Sequence, residues 1–412
     1  MKKRKVYIFS GTSRAAVYGI GTYITQLVDC LGQAQIEFEV VHLYAEGNEV
    51  TVTEDKGYRQ ISIPAIKSSN KNTTQYYSRN VAYLLREFIP TDSNFTYIFH
   101  LNFMTDSRMV MQLKKIFKSK VILTIHYTNW SFDLLGNYEI LKKILKTSKD
   151  KLNPFEKNLL EAFKEDVKMI KECDKSIYIA KHTSVSFAEN SEIDKEKTII
   201  INNGLEDLFK KNMSIEINKI KKRYRIDKNS KIILFAGRLD PVKGVSYLIK
   251  SFKSVLEKHS NCYLFFIGDG DFNVWLKDAN SYWTRIIFTG RLNKEQLYEF
   301  YQIADIGVVC SLHEEFGYVA IEMMMHQLPI IVSNTGGLAE IVEDNISGLK
   351  VPIITEDEKR FIDVTILTEQ ICYLIEYPQI AKRLGKNART RYLEKFELSQ
   401  FKRQMLDLYQ NI

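Results

Sequence analysis

The amino-acid sequence predicts an α/β protein of two domains, each a parallel sheet with helices on both faces. Three observations carry this. The length, 412 residues, exceeds one ordinary core. Short apolar runs of strand character alternate with longer amphipathic stretches along the whole chain, which is the rhythm of parallel strands joined by crossover helices. Both halves show the same rhythm and no repeat of solenoid period is evident, as two similar domains would give.

Strand character appears first at residues 6–9, then at 38–43, 97–101, 121–125, 176–179 and 198–201, each short and apolar enough to be buried. Helical periodicity fills the gaps at 23–31, 76–88, 106–117 and 154–172. Residues 204–230 are polar and lysine-rich, and precede a fresh strand at 231–236, so they read as a connection between domains. Further strands are expected at 263–267, 306–310 and 329–332, with a helix over 317–327 and a last helix over 398–409. The expected organisation is an N-terminal domain 1–203, a connection 204–230, a C-terminal domain 231–395 and a terminal helix within 396–412.

Composition narrows the function classes. With 45% hydrophobic and 26% charged residues the balance is that of a soluble globular protein, and no apolar run approaches the roughly 18–20 residues of a membrane span. The basic start Met-Lys-Lys-Arg-Lys is followed by only four apolar residues, 6–9, which suits a first strand and not an export signal. Cys30, Cys173, Cys262, Cys310 and Cys372 have no CxxC spacing and read as buried thiols of a reducing compartment. Asn129-Trp-Ser131 is formally a glycosylation sequon, but it lies beside an expected active-site loop, so a cytoplasmic location is expected.

The net charge is +8, with basic clusters around 114–120, 142–151 and 219–225. They are dispersed over several helices without interleaved stacking aromatics, which argues against a nucleic-acid partner. Residues 113–118 and 140–146 mix apolar and basic side chains. That pattern fits peripheral contact with an anionic membrane, although helices packing on their own sheet explain it more simply.

The chemistry concentrates in loops that follow strands. Gly237-Arg-Leu-Asp-Pro-Val-Lys-Gly244, Gly268-Asp-Gly270, Ser311-Leu-His-Glu-Glu-Phe-Gly-Tyr-Val-Ala-Ile-Glu322 and Ser333-Asn-Thr-Gly-Gly-Leu-Ala-Glu340 each come after an apolar run, at the sheet edge where open α/β sheets bind ligands. Glu314 falls in a loop and Glu322 on the second turn of the following helix, whose free N–H groups begin near Phe316 and can hold a diphosphate. Carboxylates on either side of such a site accept hydrogen bonds from hydroxyls, Glu314 from a sugar ring and Glu322 from a ribose. Together they suit a nucleotide sugar. Arg238 and Lys243 are the cations to set on its diphosphate, and the amides around Thr335, Gly336 and Gly337 add donors. Glu340 is expected to begin the next helix. No HExxH, no Asp-x-Asp in a plausible strand-end loop and no Cys/His set with ligand spacing is read from the sequence, so no metal is expected.

In this order and spacing the four loops resemble the C-terminal domain of glycosyltransferase family 4, strongly from Lys231 to Lys350 and more weakly elsewhere. The resemblance implies a GT-B fold, two Rossmann-like domains whose parallel sheets face across a cleft, with the terminal helix crossing back to the first domain. It implies a hexosyltransferase that moves a sugar from a nucleotide-diphosphate sugar to an acceptor hydroxyl with retention, without a metal, by a front-face route. Donor binding then falls to Gly19, Gly21, Gly237, Phe316, Gly317, Glu322, Thr335, Gly336 and Gly337, and catalysis to His126, Arg238, Lys243 and Glu314. His126, in Leu-Thr-Ile-His-Tyr, resembles the family histidine that faces the donor sugar; His100 matches a less specific acceptor-side position. Residues 12–18, ahead of Gly19, form a longer lead-in than the family's and are a candidate acceptor lid. Asn202-Asn203-Gly204 resembles the family's junction turn, where Gly permits positive φ. The co-substrate is expected to be a UDP-sugar in preference to a GDP- or ADP-sugar, with no separate cofactor. The acceptor would be a glycan, a lipid-linked glycan or a peptide. An alternative is an epimerase or hydrolase acting on the nucleotide sugar alone.

Overall fold

A computed structural model describes residues 3–11, 19–66, 73–90, 92–210 and 214–412. The candidate lid, 12–18, lies outside the described residues. The chain divides into two compact units, the first comprising 1–134, 138–203 and 399–412, the second 135–137 and 204–398.

Unit 1 is built on an eight-stranded sheet of β1 (Lys3–Gly11), β2 (Glu37–Ala45), β3 (Thr51–Asp55), β4 (Tyr58–Pro64), β5 (Phe95–Leu101), β6 (Lys120–Ile125), β7 (Lys175–Tyr178) and β8 (Thr198–Ile200), in the order β3-β4-β2-β1-β5-β6-β7-β8. All neighbours are parallel except β3 and β4. That pair is a hairpin absent from the sequence expectation, because every residue of β3 is exposed and no apolar alternation marks it. The parallel strands are apolar on successive residues because helices cover both faces. Helix Pro154–Glu172 shows how local signals set an element: Asn153 and Glu156 form a reciprocal capping box and Pro154 occupies the first turn. Its Leu159, Leu160, Phe163, Met169 and Ile170 face the core.

The basic stretches at 113–118 and 140–146 lie in helices Ser107–Phe117 and Tyr138–Lys146. Leu113, Phe117, Leu141 and Ile144 are buried in the unit 1 core, so the apolar faces pack inward. Helix Leu398–Asn411 contributes its last residues to the same unit: Phe401 meets Tyr23 edge-on at 5.2 Å, and Tyr409 is wholly buried.

Unit 2 has a six-stranded parallel sheet of β9 (Lys231–Ala236), β10 (Cys262–Ile267), β11 (Ile286–Gly290), β12 (Ile306–Val309), β13 (Ile330–Ser333) and β14 (Leu349–Val351), ordered β11-β10-β9-β12-β13-β14. A small antiparallel hairpin, β15 (Ile353–Glu356) and β16 (Lys359–Ile362), follows. Residues 204–230 are joined to this unit: Asp207 takes two hydrogen bonds from Arg389, at 2.7 and 2.5 Å, and Tyr392 donates to the Leu205 carbonyl at 2.8 Å. The stretch also forms the helix Ser214–Arg223. Gly204 does not take the positive φ expected of the junction turn; Asn202 holds the turn by donating to the Ile179 carbonyl at 2.9 Å.

All five cysteines are buried thiols. Among the described residues no helix is long and apolar enough to cross a membrane.

Candidate functional site

In unit 2 the chain passes from β9 to β10 and β11 on one side, then returns to β12, β13 and β14 on the other. The reversal lies between β9 and β12, where the carboxyl ends of parallel strands leave a crevice for ligands. Gly237 and Arg238 follow β9 and Ser311 to Glu314 follow β12, so the sequence-predicted cations and first acid stand on the two sides of that point. Lys243 ends the short 3-10 turn Pro241–Lys243, capped by Asp240, whose carboxylate accepts from the Lys243 amide at 3.2 Å. The Lys243 ammonium lies 2.6 Å from Glu314 Oε2, which also accepts from Ser311 Oγ at 3.4 Å. Both side chains are under one-fifth exposed, at 17% and 19%, so little solvent screens the pair. Gly244 lets this turn sit against β12's loop: a Cβ there would lie 1.9 Å from the Cys310 carbonyl oxygen. Arg238 is more open and pairs with Asp240 at 3.1 Å.

The β13 loop closes on the same acid. Gly337 donates its amide to the Glu314 carbonyl at 2.8 Å, and a Cβ on Gly337 would come within 2.3 Å of the Phe316 oxygen. Thr335 caps the short helix Gly336–Ile341, but its hydroxyl is spent on the Leu312 carbonyl at 3.2 Å. Glu340 stands near the end of this helix and not at its start, because the helix begins directly at Gly336 after the Thr335 cap; its carbonyl accepts from Arg391 at 2.9 Å. The loop thus brings together Lys243, Glu314, Gly317 and 335–337.

Two expected donor residues have side-chain partners within unit 2. Phe316 is a core ring, edge-on to Tyr318 and Phe396, so only its backbone is left to meet a ligand. Glu322 sits on the second turn of helix Tyr318–Met325, and its Oε2 accepts from the Tyr301 hydroxyl at 2.9 Å. Desolvation raises the Glu322 pKa above its ordinary value. An Asp-x-Asp pattern does stand in a strand-end loop, Asp269 and Asp271 after β10. Asp271 caps the next turn by accepting from the Asn273 amide at 3.0 Å, a structural use of the carboxylate.

In unit 1, Gly19 and Gly21 lie in the first turn of helix Gly19–Gln33. His126 follows β6 and is buried; its Nε2 lies 3.4 Å from Asn102 Oδ1, and Tyr23 packs edge-on against its ring at 4.6 Å. Burial lowers its pKa to about 3, so the ring is neutral. His100 is a structural residue: wholly buried, it joins Tyr409 at 2.5 Å through Nδ1 and Thr124 at 2.7 Å through Nε2. It ties the terminal helix to the sheet and offers no free nitrogen to an acceptor.

Beside His126 is a pocket of about 80 Å³ that the sequence reading did not anticipate, lined in part by Asn102, Trp130 and Asp166. Asp166 lies in helix Pro154–Glu172, three residues after Phe163 and four before Ile170, on the apolar stripe. An acid in that register is the one signal that would have singled it out. Its Oδ2 accepts from Trp130 Nε1 at 2.9 Å, and burial raises its pKa to about 7.

The profile of the family Glycosyl transferases group 1 matches residues 216–391. An uncharacterized glycosyltransferase of Methanocaldococcus jannaschii is 36% identical over 163 residues, 38% of this chain and 41% of that one. The chain spans about half the length, or somewhat less, of the curated relatives it matches. Among solved structures, sucrose-phosphate synthase from Thermosynechococcus elongatus superposes with a TM-score of 0.74 at 20% identity, covering 99% of this chain and 98% of that one. Anabaena HepE in complex with UDP-glucose superposes at 0.70 and 15% identity, covering 99% and 100%. Residues 216–391 thus match the glycosyl transferases of group 1, and the chain shares with these solved structures a GT-B fold of two Rossmann-like domains.

Proposed function

We propose that the protein is a retaining glycosyltransferase that moves a sugar from a nucleotide-diphosphate sugar to an acceptor hydroxyl without a metal. The observation that carries this reading is the Lys243–Glu314 pair at the chain reversal of unit 2. An ammonium has three N–H donors and Glu314 engages one, so Lys243 retains donors for a departing diphosphate, while Glu314 accepts from ring hydroxyls of the sugar. As the glycosidic bond breaks, charge grows on the diphosphate, and Lys243 with Arg238 stabilises it. The Gly336 amide adds a hydrogen bond on the same side, while the Gly337 amide is held by the Glu314 carbonyl. Glu314 is held by Lys243 and Ser311, a posture suited to binding hydroxyls and not to attacking the anomeric carbon as in a double-displacement glycosidase. The acceptor then enters on the face the diphosphate leaves, with a phosphate oxygen taking its proton. His126, neutral in its pocket, orients the sugar.

UDP is the favoured nucleotide, since a structurally similar protein is described in complex with UDP-glucose. The acceptor is a glycan, a lipid-linked glycan or a peptide, in the cytoplasm. Any membrane contact is electrostatic, because the apolar faces of the basic helices are buried. Thermal protection across UDP, GDP and ADP ranks the nucleotides. An NMR time course in excess EDTA then follows the first product: a retained anomeric centre is expected. An inverted product, dependence on a divalent ion, or release of free sugar or an epimer without an acceptor each rejects the reading.

A further inference from the structure

The pocket beside His126 breaks a local rule of folding. A carboxylic acid sits on the inward stripe of a helix whose neighbouring stripe positions are Phe163 and Ile170, and Trp130, which donates to it, is completely buried. Burying an acid costs stability unless something satisfies it, and departures of this kind concentrate where a ligand binds. One Asp166 oxygen is committed to Trp130.

The placement is also informative. Asn102 directly follows β5 and His126 directly follows β6, so the pocket lies at the carboxyl edge of the unit 1 sheet. Chain order in that sheet reverses between β1 and β5, and Asn102 reaches across the reversal, donating to the Phe9 carbonyl of β1 at 3.2 Å. Asn102 Oδ1 in turn faces His126 Nε2. The side chains of Asn102, His126 and Asp166 therefore share a space whose apolar walls include Phe103, Met104, Trp130 and Ala162, with Tyr127 and Asn129 completing the lining.

We infer that this pocket is a subsite for an uncharged, hydroxyl-bearing ring of the acceptor, with Asp166 as its recognition group, and that it disfavours anionic acceptors. The inference rests on the glycosyltransferase reading above for the word acceptor. A sugar ring presents hydroxyls at its rim and C–H groups on its faces, which matches carboxylate, amide and imidazole set among apolar walls. Above about pH 7, where Asp166 is ionised, a phosphate or carboxylate on the same ring would meet its charge in a poorly screened site. The raised pKa agrees with desolvation of this acid by its surroundings.

The test uses the full chain at pH 8 and saturation-transfer NMR with methyl glucoside, methyl mannoside, methyl galactoside and methyl N-acetylglucosaminide, beside glucose 1-phosphate and glucose 6-phosphate. At least one neutral glycoside should receive saturation from the wild type and the sugar phosphates little. Asp166→Asn, nearly isosteric and still able to accept from Trp130, should lower the neutral signal about fivefold and raise the sugar-phosphate signal. Ala162→Phe, which fills the pocket, should abolish both. Silence from every neutral glycoside, equal binding of the phosphates to wild type, or signals indifferent to both variants overturns the proposal. Nucleotide protection of the wild type is scored separately: its absence with glycoside binding intact removes the donor reading and leaves the subsite, and the converse removes the subsite alone.

Discussion

At the scale of single residues, the site works through paired charges. Lys243→Ala removes a cation from the place where charge develops and leaves Glu314 largely buried without its partner. Turnover should fall about a hundredfold or more, the size of a lost oxyanion donor, with a smaller effect on folding; wild-type kcat would take Lys243 out of the mechanism. Glu322→Ala should weaken nucleotide-sugar binding by about 1–3 kcal/mol through unpaired ribose hydroxyls. Tyr301→Phe should weaken it less, since it removes only the hydroxyl that fixes Glu322. Calorimetry showing equal affinity in both variants and the wild type would leave Glu322 a purely structural acid. Asp166 gives a pH signature. Its folded pKa, about 7, lies above the ordinary 3.8, so the folded state holds a proton that the unfolded chain has released between these values. That contribution is complete below about pH 3.8 and is lost as pH rises through about 7. Asp166→Asn should therefore melt higher than the wild type at pH 8, with the gap closing toward pH 4. His100 and His126, lowered to about 3, act in the opposite sense but are common to both proteins. A gap that does not vary with pH would contradict burial of an ionised Asp166.

Among elements, the decisive contacts are backbone to backbone. The helix Gly336–Ile341 approaches the loop 314–316 so closely that any Cβ at 337 collides with two carbonyl oxygens, those of Phe316 at 2.3 Å and Glu315 at 2.6 Å. Gly337→Ala should break the hydrogen bond from its amide to the Glu314 carbonyl, cost about 1–3 kcal/mol as overpacking does, and abolish nucleotide protection before it abolishes the fold. A normal melting temperature with full protection would show that the loop tolerates the methyl group. The sequence marked this Gly-Gly pair as a source of amides. Its tighter role, letting two loops touch, depends on β12 and β13 being neighbours and is not legible in the sequence. The same holds for Phe316, whose ring the packing of Tyr318 and Phe396 draws into the core. The hairpins β3–β4 and β15–β16 escaped the sequence reading for a different reason: one strand of each, β3 and β15, is mostly exposed and carries no apolar periodicity.

On the scale of the molecule, unit 1 is completed by the last residues of the chain. Phe401, Met405, Leu408 and Tyr409 are all buried, and burial of each such side chain contributes about 1.5–3 kcal/mol. Their sum is comparable with the roughly 5–15 kcal/mol that holds a domain together. Deleting residues 399–412 would also leave His100 Nδ1 without Tyr409. The truncated protein should lose the unit 1 melting transition and aggregate on expression. A soluble product with unchanged melting would show that unit 1 folds without this helix.

Short windows of sequence carry the alternation of strands and helices, the strand-end position of each glycine-rich loop, the resemblance of the second half to a glycosyltransferase family and the candidates Lys243, Glu314 and His126. These are local: periodicity, turn chemistry and short motifs are written in windows of a few residues. Which of those residues meet is set by strand order and packing. Lys243 and Glu314 are 71 positions apart, and they pair because β9 and β12 are neighbours, which no window of sequence specifies. Tyr301 reaches Glu322 and Tyr409 reaches His100 through the facing of helices against each other and against the sheet. Asp166 becomes a pocket residue for the same reason: strand order brings the ends of β5 and β6 beside its helix, and burial then changes the chemistry of an acid that in sequence looks like any other.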